Sequence, residues 1–203
     1  MTMKALIVVD LQNDFVPGGS LAVPRGNEII PIVNRIQEKF DMVVATQDWH
    51  PKNHMSFASN HPGKNVFDTI MLGGMEQVLW PDHCVQGDKG AMFVKGFDER
   101  RVEAIFRKGT DPEIDSYSGF FDNGRKKSTG LGDYLKGRGV KQVYVCGLAA
   151  EFCVLYTALD AIDLGFETYY LEDVTRALSH EGFREAREQV TRRGGHLIVS
   201  DEL

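Results

Sequence analysis

The chain has 203 residues, enough for one domain (residues 1–203) with a sizeable core. Lys plus Arg number 23 and Asp plus Glu 29, a net charge of -6, and the only basic run is Arg125-Lys126-Lys127, so no nucleic-acid partner is expected. No apolar stretch approaches the roughly 18 residues that would suggest a membrane span, so no membrane partner is expected either.

The N-terminus runs almost directly into a strand, which argues against a signal peptide. The three cysteines, Cys84, Cys146 and Cys153, form no CxxC pair. An odd count without a secretory signal points to reduced thiols and a cytoplasmic location. Each thiol is then open to catalysis, metal binding or plain burial.

Lys4 to Val9 is a short β-branched run, as expected of a buried strand, and it ends at Asp10. Ile29, Ile32, Val33, Ile36 and Phe40 give residues 27–40 a helical spacing. Met42 to Thr46 is a second strand, ending at Gln47-Asp48. The stretch from Trp49 to about Phe97 reads as a long irregular loop, a feature that is usually functional in a compact domain. Ala104 to Phe106 is a third strand, running into Lys108. Leu131 to Lys136 reads as a short helix and Gln142 to Cys146 as a fourth strand. A helix follows over 151–164, then a fifth strand at Glu167 to Leu171. His180 to Arg193 is a charged amphipathic helix, and His196 to Val199 a sixth strand.

Strands alternating with helices predict an α/β fold: a six-stranded, mostly parallel sheet with helices on both faces, a three-layer sandwich. Ligands of such sheets bind beyond the carboxyl ends of the strands. Asp10, Asp48, Lys108 and the turn after Cys146 all lie at such ends.

Cys153 lies near the start of the helix after the fourth strand. Helix N-termini favour a thiolate, so a lowered thiol pKa is expected there. Position alone leaves a buried structural cysteine equally open. Asp10 taken alone is as readily a cap, and Lys108 alone a solvated lysine. Together, a carboxylate base, a cation and a thiol supply what acyl transfer requires. In the long loop, Asp48 and His50 stand two residues apart. His83 completes a two-histidine, one-carboxylate set of the kind that holds Zn²⁺ or Fe²⁺. Pro51 separates His50 from His54, so the two do not form a helical pair.

Seven segments resemble one family. They are Val9-Asp10-Leu11-Gln12-Asn13-Asp14-Phe15, Gly18-Gly19-Ser20-Leu21-Ala22-Val23, Thr46-Gln47-Asp48-Trp49-His50-Pro51, Trp80-Pro81-Asp82-His83-Cys84-Val85, Phe106-Arg107-Lys108-Gly109, the run from Asp115 to Asn123, and Gly147-Leu148-Ala149-Ala150-Glu151-Phe152-Cys153-Val154. In this order they resemble the nicotinamidases (pyrazinamidases) of the isochorismatase-like cysteine hydrolase superfamily. The resemblance implies hydrolysis of nicotinamide to nicotinate and ammonia through a cysteine thioester, in NAD salvage, with pyrazinamide as a second substrate. It implies that Asp10, Lys108 and Cys153 are the catalytic residues. The amides of Ala149 and Cys153 would form the oxyanion hole, with a cis peptide between Leu148 and Ala149. Phe15, Trp80 and Tyr117 match the aromatic positions around the pyridine ring. Asp48, His50 and His83 match the ligands of one divalent metal ion, Zn²⁺ first, with Fe²⁺ or Mn²⁺ as alternatives. His54 or Ser56 is open as a further ligand, and the protein as monomer or homo-oligomer. One departure is Ala150-Glu151, where the family often has Thr-Asp.

Overall fold

The apolar runs form six parallel strands in one sheet, ordered β5 (Val102–Lys108), β2 (Met42–Asp48), β1 (Met3–Val9), β6 (Val140–Leu148), β7 (Glu167–Arg176) and β8 (His196–Ile198). The computed structural model describes residues 2–203. Several strands run longer than the sequence pattern predicts. β6 and β7 continue past Cys146 and Leu171, because their later residues still pair across the ladder, Leu148 with Arg176.

Both faces of the sheet are covered, which explains why β1 is a continuous apolar run rather than an alternating one. Leu6 and Val8 face one core, with Ile29, Val33 and Ile36 of the first helical segment. Ala5, Ile7 and Val9 face the other, with Leu131, Leu135, Ala158 and Val190 from three further helices. Those helices are α2 (Leu131–Gly137), α3 (Leu155–Asp163) and α4 (His180–Arg192). Each fully buried side chain of this kind contributes about 1.5–3 kcal/mol. No helix among the described residues is long and apolar enough to cross a membrane.

Three local differences from the sequence pattern have physical causes. The helix expected over 27–40 is α-helical only as α1 (Ile30–Ile36), flanked by 3₁₀ turns. Pro31 lies in its first turn and has no N–H to bond back to Asn27. The loop from Trp49 to Phe97 contains a hairpin, β3 (Thr69–Leu72) and β4 (Met75–Val78). Gly73 and Gly74 turn it, both at positive φ, as a two-residue type I′ turn requires. The helix expected from Glu151 instead opens with a π-helical turn, Ala150–Val154, before α3.

The chain lays down β1, β2 and β5 outward on one side, then returns to add β6, β7 and β8 on the other. The order therefore reverses between β1 and β6, where a crevice opens at the carboxyl ends.

Candidate active site

Asp10 and Ala149 leave the two strands that flank this crevice. Asp10 takes a φ of +48°, in the left-handed region that Asp tolerates better than most residues. Its carboxylate is held from β2. Thr46 Oγ1 donates to Asp10 Oδ1 at 2.6 Å and accepts from the Asp10 backbone N–H at 3.2 Å. Lys108 ends β5, opposite Asp48 in the parallel register. From that edge strand only a long side chain reaches the crevice. Lys108 Nζ donates to Asp48 Oδ1 at 2.5 Å and to the Ser116 carbonyl at 2.9 Å, and lies 3.5 Å from Cys153 Sγ. Asp10 Oδ2 is 2.8 Å from the same ammonium, with no hydrogen-bond donor aligned on it. The reactive atoms of Asp10, Asp48 and Cys153 fall within 4.8 Å of one another. The three residues singled out as an acyl-transfer set are thus brought together.

The electrostatics correct one expectation. The Cys153 thiol is not lowered by its helical turn. Burial pushes it well above its ordinary value; Lys108 pulls it down, but Asp10 and Asp48 push it further up. Cys153 is buried, and desolvation disfavours its charged form. Burial likewise raises Asp10, with Lys108 opposing and Asp48 adding. Burial would raise Asp48 too, but the Lys108 ammonium opposes it, and this carboxyl is held well below the usual range. Burial disfavours charge on Lys108, yet Asp10 and Asp48 keep it firmly protonated. The resting site is one ammonium between an ionised Asp48 and a more basic Asp10, beside a neutral thiol.

Asp48 also faces the two histidines. Its Oδ2 lies 3.4 Å from His50 Nε2 and 3.7 Å from His83 Nε2. His50 Nδ1–H donates to the Gly109 carbonyl at 2.9 Å and His83 Nδ1–H to the Pro81 carbonyl at 2.8 Å. Those bonds leave both Nε2 lone pairs aimed at the carboxylate. Three acceptors converging in a buried space, with His50 Nε2 unpartnered, fit a divalent cation. Gly109 makes this possible: at φ +65°, a Cβ there would meet the His50 ring at 2.3 Å.

His54 differs. Its ring lies 4.4 Å from that of His50, and Ser56 holds its Nδ1 through the hydroxyl at 2.7 Å and the backbone N–H at 3.2 Å. Its Nε2 is buried without a partner, and His54 groups with His50 and Asp115 rather than with Asp48 and His83. Burial, reinforced by His50, lowers its pKa to about 4, so it is neutral at ordinary pH.

Phe15, Trp80 and Tyr117 line one pocket with Ala149 and Cys153, and with Asp48 and His83 at its side. The Leu148–Ala149 peptide is cis. Phe152 completes the aromatic wall, its ring edge-on to Trp80 at 5.0 Å and to Tyr117 at 5.5 Å. Leu21, Val23 and Leu178 close the pocket. Glu151, the departure from Thr-Asp, accepts from the backbone N–H groups of Leu178 and Ser179 at 3.1 and 2.9 Å. It ties the nucleophile's turn to the loop carrying Leu178.

The sequence pattern did not single out Thr46, Gln77, Asp115 or Phe152. Thr46 was detectable, because it precedes Asp48 by two and so shares its face of β2.

A model of the isochorismatase domain matches residues 4–202. The chain belongs to the isochorismatase family. Within the family, the nicotinamidase of Acinetobacter baylyi is 51% identical over 88% of this chain and 83% of its own. The solved structure of an Acinetobacter baumanii nicotinamidase and pyrazinamidase superposes with a TM-score of 0.97 at 45% identity, covering 100% of this chain and 98% of that one. A pyrazinamidase of Pyrococcus horikoshii, solved in complex with zinc, gives a TM-score of 0.78 at 43% identity over 97% of this chain and 98% of its own. This isochorismatase family chain thus stands among nicotinamidases across nearly its whole length.

Proposed function

We propose that this chain, acting as a single isochorismatase-like unit, hydrolyses nicotinamide to nicotinate and ammonia, with pyrazinamide as a second substrate. The observation that carries the reading is the position of Cys153, between Lys108 and Asp10, at one end of an aromatic-walled pocket. A flat ring fits between Phe15, Trp80 and Tyr117, with its carboxamide over Cys153. Asp10, made more basic by burial, takes the thiol proton as the sulfur attacks the carbonyl carbon. Lys108 holds the negative charge that moves between Sγ and Asp10. The amides of Ala149 and Cys153 serve the oxyanion. Asp10 returns the proton to nitrogen as the C–N bond breaks and ammonia leaves. Water then loses a proton to Asp10 and adds to the thioester. The C–S bond breaks, and the thiol regains its proton.

Asp48, His50 and His83 would hold one divalent cation, Zn²⁺ by this nitrogen and oxygen donor set. Bound there, the ion supplies a positive charge that orients and polarises the pyridine ring. A thiol nucleophile needs no metal to create it.

The test is ammonia release from nicotinamide and pyrazinamide. Wild-type protein should release it from both, and Cys153→Ala should not while its circular dichroism is unchanged. Absence of release by wild type from either amide refutes the substrate assignment. Appreciable turnover by Cys153→Ala refutes the nucleophile.

A further inference from the structure

The hairpin β3–β4 stands apart from the main sheet, yet one of its side chains points into the molecule. Along β4, Glu76 is exposed and Gln77 is buried, with only 4% of its surface accessible. A buried primary amide must satisfy its donors, and those of Gln77 are spent on the pocket wall. Nε2 donates to the Val78 carbonyl at 2.8 Å, to Asp115 Oδ2 at 3.1 Å and to the Tyr117 hydroxyl at 3.3 Å. A carbonyl and a carboxylate are acceptors only, which fixes the amide with its nitrogen toward them. The Tyr117 hydroxyl also accepts from Trp80 Nε1–H at 3.2 Å. Asp115 is held from its other oxygen by the Ser116 backbone N–H at 2.7 Å.

Gln77 is therefore the joint between two pieces of wall that lie far apart in sequence. Trp80 follows the hairpin directly. Tyr117 and Asp115 come from the segment between β5 and α2. The two rings meet nearly edge to face, 6.3 Å apart at 85°; one direct hydrogen bond, Trp80 Nε1–H to the Tyr117 hydroxyl, links them, and Gln77 adds a second to the same oxygen. Asp115 lines the same pocket and is 3% exposed.

We infer that Gln77 is a positioning residue that sets the spacing of the Trp80 and Tyr117 wall. The hairpin then determines how tightly a pyridine carboxamide is held, while taking no part in acyl transfer. The inference rests on the nicotinamide reading above. Gln77 lies outside the Cys153, Asp10 and Lys108 cluster, so its loss should appear in binding and not in the chemical step.

The experiment compares wild type with Gln77→Leu, which keeps similar bulk and removes the donors. KM and kcat for nicotinamide are measured on both. The Kd for nicotinamide is measured by calorimetry with Cys153→Ala added to each. KM and Kd should rise about tenfold, the effect of two lost hydrogen bonds, with kcat within about threefold. Tyr117→Phe removes the shared acceptor without touching the hairpin, and it keeps the test open if Gln77→Leu does not fold. It should raise KM by itself, and in the double variant the two effects should combine to less than their product. KM and Kd within about twofold of wild type in both variants overturn the inference. So does a fall in kcat at unchanged KM, or full multiplicativity in the double variant. Wild type that turns over no nicotinamide refutes the underlying substrate reading instead, a result visible before any Gln77 variant is made.

Discussion

Lys108 Nζ lies 2.5 Å from Oδ1 of Asp48, whose other oxygen faces His50 and His83. One carboxylate thus joins the nucleophile's ion pair to the histidine cluster. Lys108→Met leaves Asp10 and Asp48 buried without their cation. Losing one partner of a buried pair costs about 3–5 kcal/mol, or roughly 10 °C in melting temperature for a chain of this size. A divalent ion on Asp48 replaces part of the missing charge. Scanning calorimetry of Lys108→Met should show the fall in chelator and partial recovery with added Zn²⁺. Equal melting temperatures with and without the ion would contradict the shared role of Asp48.

The pH profile should follow from Asp10. Its working form is the carboxylate, which is present above its pKa. Burial raises that pKa from the ordinary 3.8, against the opposing pull of Lys108. As pH falls, kcat/KM should therefore begin to drop at a higher pH than an exposed Asp would give. Asp10→Asn should lose at least about a thousandfold in kcat at every pH, since general base catalysis contributes about 10²–10⁴ and the thiol is not preionised. An acid limb at the ordinary carboxylate value would show that Asp10 is not the base.

Gly109→Ala should act on the histidine cluster from behind. The added Cβ would sit 2.3 Å from the His50 ring, and φ +65° is strained for any residue with a side chain. The ring must move, and with it Nε2. Elemental analysis should find the metal content well below that of wild type, with Cys153 and the aromatic wall intact. Full metal occupancy would mean that His50 is not a ligand.

His50 and His54 should part company in the same assay. His50→Ala removes a lone pair aimed at Asp48 and should lose the ion. His54→Ala removes a ring that Ser56 holds and that lies outside the Asp48, His50 and His83 group, and stoichiometry should stay near one ion per chain. Loss of the ion from His54→Ala would make it a fourth ligand.

Much of this site could be read from strand ends. Asp10, Asp48 and Lys108 each lie at the carboxyl end of a strand, and parallel sheets gather such positions at one edge. Cys153 is legible from its place near the start of the helix after the fourth strand, but the direction of its thiol pKa is not. A helix start favours a thiolate, but the sequence does not show how deeply the thiol is buried or which carboxylates face it. Here burial comes first, and Asp10 and Asp48 add to it. Gln77 and Asp115 were not legible. Their hydrogen bond joins residues 38 apart, and neither sits at a strand end. The hairpin itself was legible in Leu72-Gly73-Gly74-Met75, two glycines between apolar residues. It was passed over because the surrounding loop is rich in turn-forming residues.

The base and the nucleophile hang from adjacent strands, with Val9 paired to Gly147. At Gly147 the two backbones approach so closely that a Cβ would meet the Val9 carbonyl at 2.0 Å. Slipping that pairing by a single residue would carry Asp10 about 3.3 Å past Cys153, farther than a proton can be handed across. The working distance of the chemistry is thus written in the hydrogen-bond ladder of the core. Substitutions deep between β1 and β6, remote from any substrate, should be felt as changes in rate.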